Sequence, residues 1–329
     1  MKIGIDHAPA SPVGTYAQRL AQLLAEQAPE HEYIVDDDRY REVELYHSFG
    51  LRLPFWIRMR RVPSVVTVAN LHFMHYPHLY TFVERIFVLR AYRRTLRSAN
   101  RLIAFDSRVR DQLSEQLAID RDKIEVVQSL AAQVPRQQPS PMRIDAVRRK
   151  YGLPDNFILM LGTVEPRHNH EVLLRALAAT DLTAGVVICG RRTAYSEQLL
   201  TFVREHHLAA RVDFIYELSP ADLPALFNLA GAFVYLPDVD AEASIIPVVE
   251  AMRMGVPQIL SDTPSNREVA GAAALYVHPE EATDLAAALE QLLQDADLRG
   301  QMQLRERHRA ELFSEYALAQ RLIDIYTSI

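Results

Sequence analysis

At 329 residues the chain is long for a single hydrophobic core, so two domains are expected. Its 49% apolar and 24% charged residues exclude wholesale disorder, and a formal charge of -6 disfavours a nucleic-acid partner. The single cysteine, Cys189, excludes an intrachain disulfide and reads as an inert core thiol in a reducing compartment.

Lys2–Asp6 reads as the first strand. A turn with Pro9, Pro12 and Gly14 then leads into an amphipathic helix, Tyr16–Gln27, with Leu20, Leu23 and Leu24 on one face. One glycine falls short of the three in a dinucleotide fingerprint, which disfavours nicotinamide, flavin and P-loop chemistry; no cofactor is expected. Asp6 and His7 interrupt the opening apolar stretch, against a signal peptide, and no run approaches the ~18 apolar residues of a membrane span. Glu32–Val35 and Ser64–Val68 read as strands, and Asp36, Asp37 and Asp38 as a solvated loop. His72, His75 and His78 recur every third residue, yet Pro77 breaks any helix there and no cysteine or acid completes a metal tetrahedron. Thr81–Ser98 reads as an amphipathic helix carrying Arg85, Arg90, Arg93, Arg94 and Arg97. From Arg52 to Arg101 ten arginines face one acid, Glu84. With Leu53, Phe55, Trp56 and Ile57 beside them, they fit an anionic membrane surface.

Leu102–Phe105 and Ile124–Val127 are the last strands expected of a first domain, residues 1–135. A Pro-, Gln- and Ser-rich linker follows over 136–150. A second domain, 151–311, restarts with strand Phe157–Leu161 and turns at Gly162 toward a helix beginning near Asn169. A glycine at a strand end, with Arg167 and His168 at a helix entrance, is suited to phosphate. Helix Glu171–Ala179 and strands Gly185–Cys189 and Val212–Tyr216 alternate as in a doubly wound α/β domain. Ser219 reads as an N-cap before Pro220. Strands Ala232–Leu236 and Val256–Leu260 enclose a short helix that starts at Pro247 and stops at Gly255. Glu242 in the loop and Glu250 in the helix flank its entrance. Ala274–Val277 is the final strand, with helices from Glu280 onward. The last, about Glu315–Thr327, has Leu318, Leu322, Ile323 and Tyr326 as its apolar face.

Several blocks occur in a telling order: Glu242 and Glu250, Gly255-Val256-Pro257, Ser261-Asp262, and Glu268-Val269-Ala270-Gly271. Upstream stand Gly162-Thr163-Val164-Glu165-Pro166-Arg167-His168-Asn169, and at the start Met1-Lys2-Ile3-Gly4-Ile5-Asp6 with Val13-Gly14-Thr15-Tyr16. Together they resemble the retaining GT-B glycosyltransferases, nearest to glycosyltransferase family four. The resemblance implies two Rossmann-like, doubly wound parallel-sheet domains facing across a cleft, with a terminal helix, 312–329, crossing back to the first. It implies metal-independent transfer of a hexose, with retention, from a nucleotide-diphosphate sugar to a glycan or lipid-linked acceptor. Glu242 would then be catalytic, binding sugar hydroxyls and stabilising developing oxocarbenium charge. Gly14, Thr15, Gly162, Arg167, His168, Ser244, Ile245, Ile246 and Glu250 would bind the donor, Glu250 through the ribose. Asn70, His72 and His75 would lie on the acceptor or sugar side.

The chain departs from that pattern in three places. Ala69-Asn70 stands where the family has His-Asp, His168 replaces a lysine, and Ala243 and Ile245 replace glycines in Glu242-Ala243-Ser244-Ile245-Ile246-Pro247. These changes keep open a second reading, an impaired homologue that binds nucleotide or serves as a partner subunit. Asp238-Val239-Asp240 resembles a metal motif of another glycosyltransferase architecture and reads here as polar surface. The expected location is cytoplasmic, peripheral on the inner face of a membrane.

Overall fold

The computed structural model describes all residues except 7–11, 36–41, 50–52, 69–70, 72–81, 129–137, 181 and 239–244, and for 12–19 and 82–88 the backbone only. The described residues form two compact units, Met1–Ala131 joined by Phe313–Ile329, and Ala132–Leu312.

The first unit holds six parallel strands: β1 (Lys2–Asp6), β2 (Glu32–Val35), β3 (Leu45–Ser48), β4 (Ser64–Val68), β5 (Arg101–Ala104) and β6 (Ile124–Val126). Their order is β2-β1-β3-β4-β5-β6. All five residues of β4 are buried, as a strand covered by helices on both sides requires. Each Val or Leu so buried contributes about 1.5–3 kcal/mol. The helices Phe55–Arg60 and Phe82–Ser98 pack on one face of this sheet, through Leu53, Ile57, Tyr92 and Leu96 against Tyr46, Val66 and Val68. The final helix, Glu315–Thr327, lies against the helix Pro12–Gln27 and buries Leu318, Ala319, Leu322, Ile325 and Tyr326.

The second unit repeats the plan with β7 (Phe157–Leu161), β8 (Val186–Cys189), β9 (Val212–Ile215), β10 (Ala230–Tyr235), β11 (Gln258–Ser261) and β12 (Leu275–Val277). Their order, β12-β11-β10-β7-β8-β9, is fully parallel and reverses between β7 and β10. Cys189 is buried in β8, and burial pushes its thiol up to about 12, so it is no nucleophile.

The structure amends the sequence reading in five places. Strand β3 was not expected, because His47 and Ser48 make half of LYHS polar and acids precede it; both side chains are fully buried. Leu53 and Ile57 belong to the core and Trp56 packs edge-on against Tyr46, leaving Phe55 and Met59 as the exposed apolar pair of that helix. Gly14 and Thr15 fall inside the helix Pro12–Gln27, in its first turn, not in a loop before it. Residues 141–150 of the expected linker belong to a helix of the second unit, Pro141–Tyr151, capped by Ser140 at Arg143 N. Ser219 makes no side-chain cap; Asp222, three residues on, is instead buried and accepts hydrogen bonds from Arg143, Lys150 (2.7 Å) and Tyr151 (2.9 Å).

Candidate functional site

In an open parallel sheet, ligands bind beyond the carboxyl ends of the strands where the order reverses. In the second unit that point lies between β7 and β10. The chain leaves β7 through Gly162, whose φ of 142° favours a residue without a Cβ. The neighbouring turn leaves β8 through Gly190, and a Cβ there would overlap the Gly162 carbonyl. Two bare backbones therefore meet at the sheet's rim.

A short 3₁₀ turn, Pro166–His168, and the helix His170–Ala178 follow Gly162. Asn169, between them, adopts a left-handed conformation (φ 56°), and its Nδ2 donates to the Leu236 carbonyl at 3.0 Å. Asp238 N donates to the Arg167 carbonyl at 2.9 Å. These two bonds clip the β7 turn to the end of β10, fixing both sides of the reversal.

The charged groups converge on Glu165. Arg167 Nε donates to Glu165 Oε2 at 2.7 Å, and Arg191, in the turn after β8, lies 3.7 Å from Oε1. Burial alone would raise the Glu165 carboxyl, but the Arg167 hydrogen bond and the charges of Arg167, His168 and Arg191 outweigh it and hold it below its usual range. Glu165 is thus a fixed anion that orients a guanidinium, and the turn keeps a cationic excess suited to phosphate.

His168 is buried, with Nδ1 2.6 Å from the Thr163 carbonyl oxygen. Burial, reinforced by Arg167, lowers its pKa against the opposing Thr163 bond and Glu165 charge. His170 packs edge-on to it at 5.9 Å and, fully buried, is lowered to about 4.

Of the expected donor residues, Gly162, Arg167 and His168 share this turn. Glu250 is buried in the helix Ile246–Met254, and Ile245, also buried, immediately precedes that helix. Glu242 and Ser244 lie outside the described residues, as do Asn70, His72 and His75. The aspartates 36–38, His78 and residues 239–240 likewise lie outside them. Among the described residues no three His, Cys, Asp or Glu side chains converge as a metal cluster. Sequence reasoning passed over Glu165 and Arg191. The signal was present in Cys189-Gly190-Arg191-Arg192, a second strand-end glycine followed by cations.

Two six-stranded parallel sheets with helices, the second bearing a cation-lined glycine turn at its reversal, have the GT-B glycosyltransferase build. HepE from Anabaena, solved in complex with UDP and glucose, matches over 100% of both chains at a TM-score of 0.78 and 16% identity. The chain belongs to the group 1 glycosyl transferases, whose family model matches residues 144–309, half of its length. It is 27% identical over 235 residues to the O-antigen chain mannosyltransferase RfbU of Salmonella typhimurium, covering 71% of this chain and 62% of that relative. With the O-antigen chain mannosyltransferase B of Escherichia coli it shares 26% identity over 287 residues, 86% of this chain and 74% of the other. The chain thus spans less than two thirds of the Salmonella relative's length.

Proposed function

We propose that the chain moves a hexose from a nucleotide-diphosphate sugar to a glycan or lipid-linked acceptor, with retention and without a metal. The observation that carries this reading is the rigid glycine turn at the β7–β10 reversal, where Arg167 is held by Glu165 beside His168. Such a turn offers backbone N–H groups and fixed cations to a diphosphate. In this reading Glu250 holds the ribose, and Glu242 and Ser244 act on the sugar. The names of the Salmonella and Escherichia relatives favour mannose as the first sugar to test and a glycan as acceptor.

An anionic bilayer surface is proposed to hold the acceptor near the first unit. Arg90, Arg93, Arg94 and Arg97 are exposed on one stripe of the helix Phe82–Ser98, and none forms an ion pair with a carboxylate among the described residues. Like charges at i, i+3 and i, i+4 cost a few tenths of a kcal/mol per pair. An anionic lipid face would offset that cost.

The test is calorimetry with UDP-glucose and GDP-mannose, followed by turnover with lipid-linked glycan in EDTA and NMR of the product's anomeric centre. Arg167→Ala and Glu250→Gln should each weaken donor binding roughly tenfold or more, as the loss of a charged hydrogen bond implies. Undiminished affinity in both variants would remove the donor site from this turn.

A further inference from the structure

The replacement of lysine by His168 has a geometric consequence that rests on the donor reading above. The Thr163 carbonyl can only accept a hydrogen bond, so the 2.6 Å contact fixes the hydrogen on Nδ1. In the neutral ring, Nε2 then carries a lone pair and has no hydrogen to give. A phosphate oxygen also presents lone pairs, and two acceptors repel. A lysine ammonium would donate at any pH near neutrality, whereas this imidazole donates through Nε2 only after taking up a second proton.

The surroundings make that proton conditional. Burial and Arg167, on the same turn, disfavour a further positive charge; Arg191 comes from the turn after β8, and His170, neutral, from the following helix. Glu165 favours that charge, but is already engaged by Arg167 and Arg191. Asp238, on the loop after β10, meets this turn through its backbone N–H. An arriving diphosphate brings the negative charge that tips the balance, since a nearby anion raises an imidazole's pKa.

We infer that His168 engages the donor diphosphate only as an imidazolium, so that nucleotide-sugar capture takes up a proton and weakens as pH rises. The same arrangement stabilises the leaving group. As the anomeric C–O bond breaks, its electron pair passes to the β-phosphate oxygen, and a cationic Nε2–H supplies a hydrogen bond to that growing charge.

The experiment is titration calorimetry of the full chain with UDP-glucose and GDP-mannose from about pH 5.5 to about pH 8.5. These diphosphate diesters do not themselves titrate in that window. Measurements in two buffers of different ionisation enthalpy give the protons taken up. The dissociation constant should rise by up to about tenfold per pH unit above the free imidazole's pKa, with up to one proton taken up per donor bound. His168→Lys should bind across the range with a flat profile and no proton uptake, its folding checked by thermal melting. Arg167→Ala should bind more weakly at every pH yet keep the wild-type slope. A flat wild-type profile without proton uptake overturns the linkage while leaving the donor site in place. No binding of either sugar nucleotide at any pH would instead overturn the donor reading itself. If His168→Lys keeps the wild-type slope, the proton sits elsewhere and the inference is wrong.

Discussion

Tyr326 Oη lies 2.6 Å from Nδ1 of His47, across 279 residues of sequence, and the other ring nitrogen lies 2.6 Å from Thr67 Oγ1. Burial lowers His47 to about 3, so the ring is neutral: one hydroxyl donates to it and the other accepts. The unfolded chain binds a proton there near the ordinary 6.5 and the folded chain does not. Stability should therefore climb as pH rises from about 3 to 6.5 and level off above it. His47→Gln should flatten that climb. Tyr326→Phe should cost about 1–3 kcal/mol, because it leaves a buried ring nitrogen without its partner. Denaturant midpoints across this range provide the check, and an unchanged slope in His47→Gln would rule the histidine out.

Gly190 and Gly162 test the glycine turn directly. Gly190→Ala places a methyl inside the Gly162 carbonyl, a backbone atom that cannot rotate away. A loss of about 1–3 kcal/mol is expected, together with weaker donor binding as the two turns separate. Gly300→Ala is the control, since nothing lies within 4 Å of its added methyl and it sits inside the helix Ala296–Ala310. It should stabilise by about 0.5–1 kcal/mol. Thermal melts of the two variants that moved together would contradict this account.

Glu306 is fully buried, and its Oε2 accepts from Gln258 Nε2 at 2.8 Å, a bond that also ties β11 to the helix Ala296–Ala310. Burial raises its carboxyl well above the usual 4.5, outweighing the Gln258 hydrogen bonds. The folded state thus keeps a proton that the unfolded state releases. This contribution is whole below about 4.5 and falls away as pH climbs toward the folded pKa. Glu306→Gln retains the acceptor without the titration, so it should be the more stable protein at neutral pH. Equal stability of variant and wild type at pH 5 and pH 8 would show that Glu306 is not held protonated.

The arginine stripe predicts salt-sensitive flotation with anionic vesicles, at roughly 1 kcal/mol for each basic residue near the surface. Reversing Arg90, Arg94 and Arg97 to glutamate should release the protein. Phe55→Ser with Met59→Ser, which removes the exposed apolar pair, should reduce the salt-resistant remainder. Equal partition onto neutral and anionic lipid would count against the charge argument.

Most of the fold was legible because parallel strands advertise themselves as short apolar runs. Phe157–Leu161, Ser64–Val68 and Lys2–Asp6 were read to the residue. β3 was not, since a buried histidine and serine look polar until Tyr326 and Thr67 are known to satisfy His47. Leu53, Trp56 and Ile57 misled for the opposite reason. Apolar residues beside arginines look like a docking face, and only the tertiary packing shows which side turns inward. At the candidate site, Gly162, Arg167 and His168 announced themselves as a glycine and cations at a strand end. Glu165 did not, because an orienting carboxylate has no spacing signature until Arg167 and Arg191 close on it.

The second unit is one continuous stretch, Ala132–Leu312, inserted into a first unit that is completed only by Phe313–Ile329. During synthesis the inserted unit emerges whole while its host still lacks the helix Glu315–Thr327. His47 must wait, with one hydroxyl partner of two, until Tyr326 has been made. Of the two units, the one begun earlier is therefore the one finished later. A ribosome stalled before Phe313 would carry a complete second unit on an unfinished scaffold.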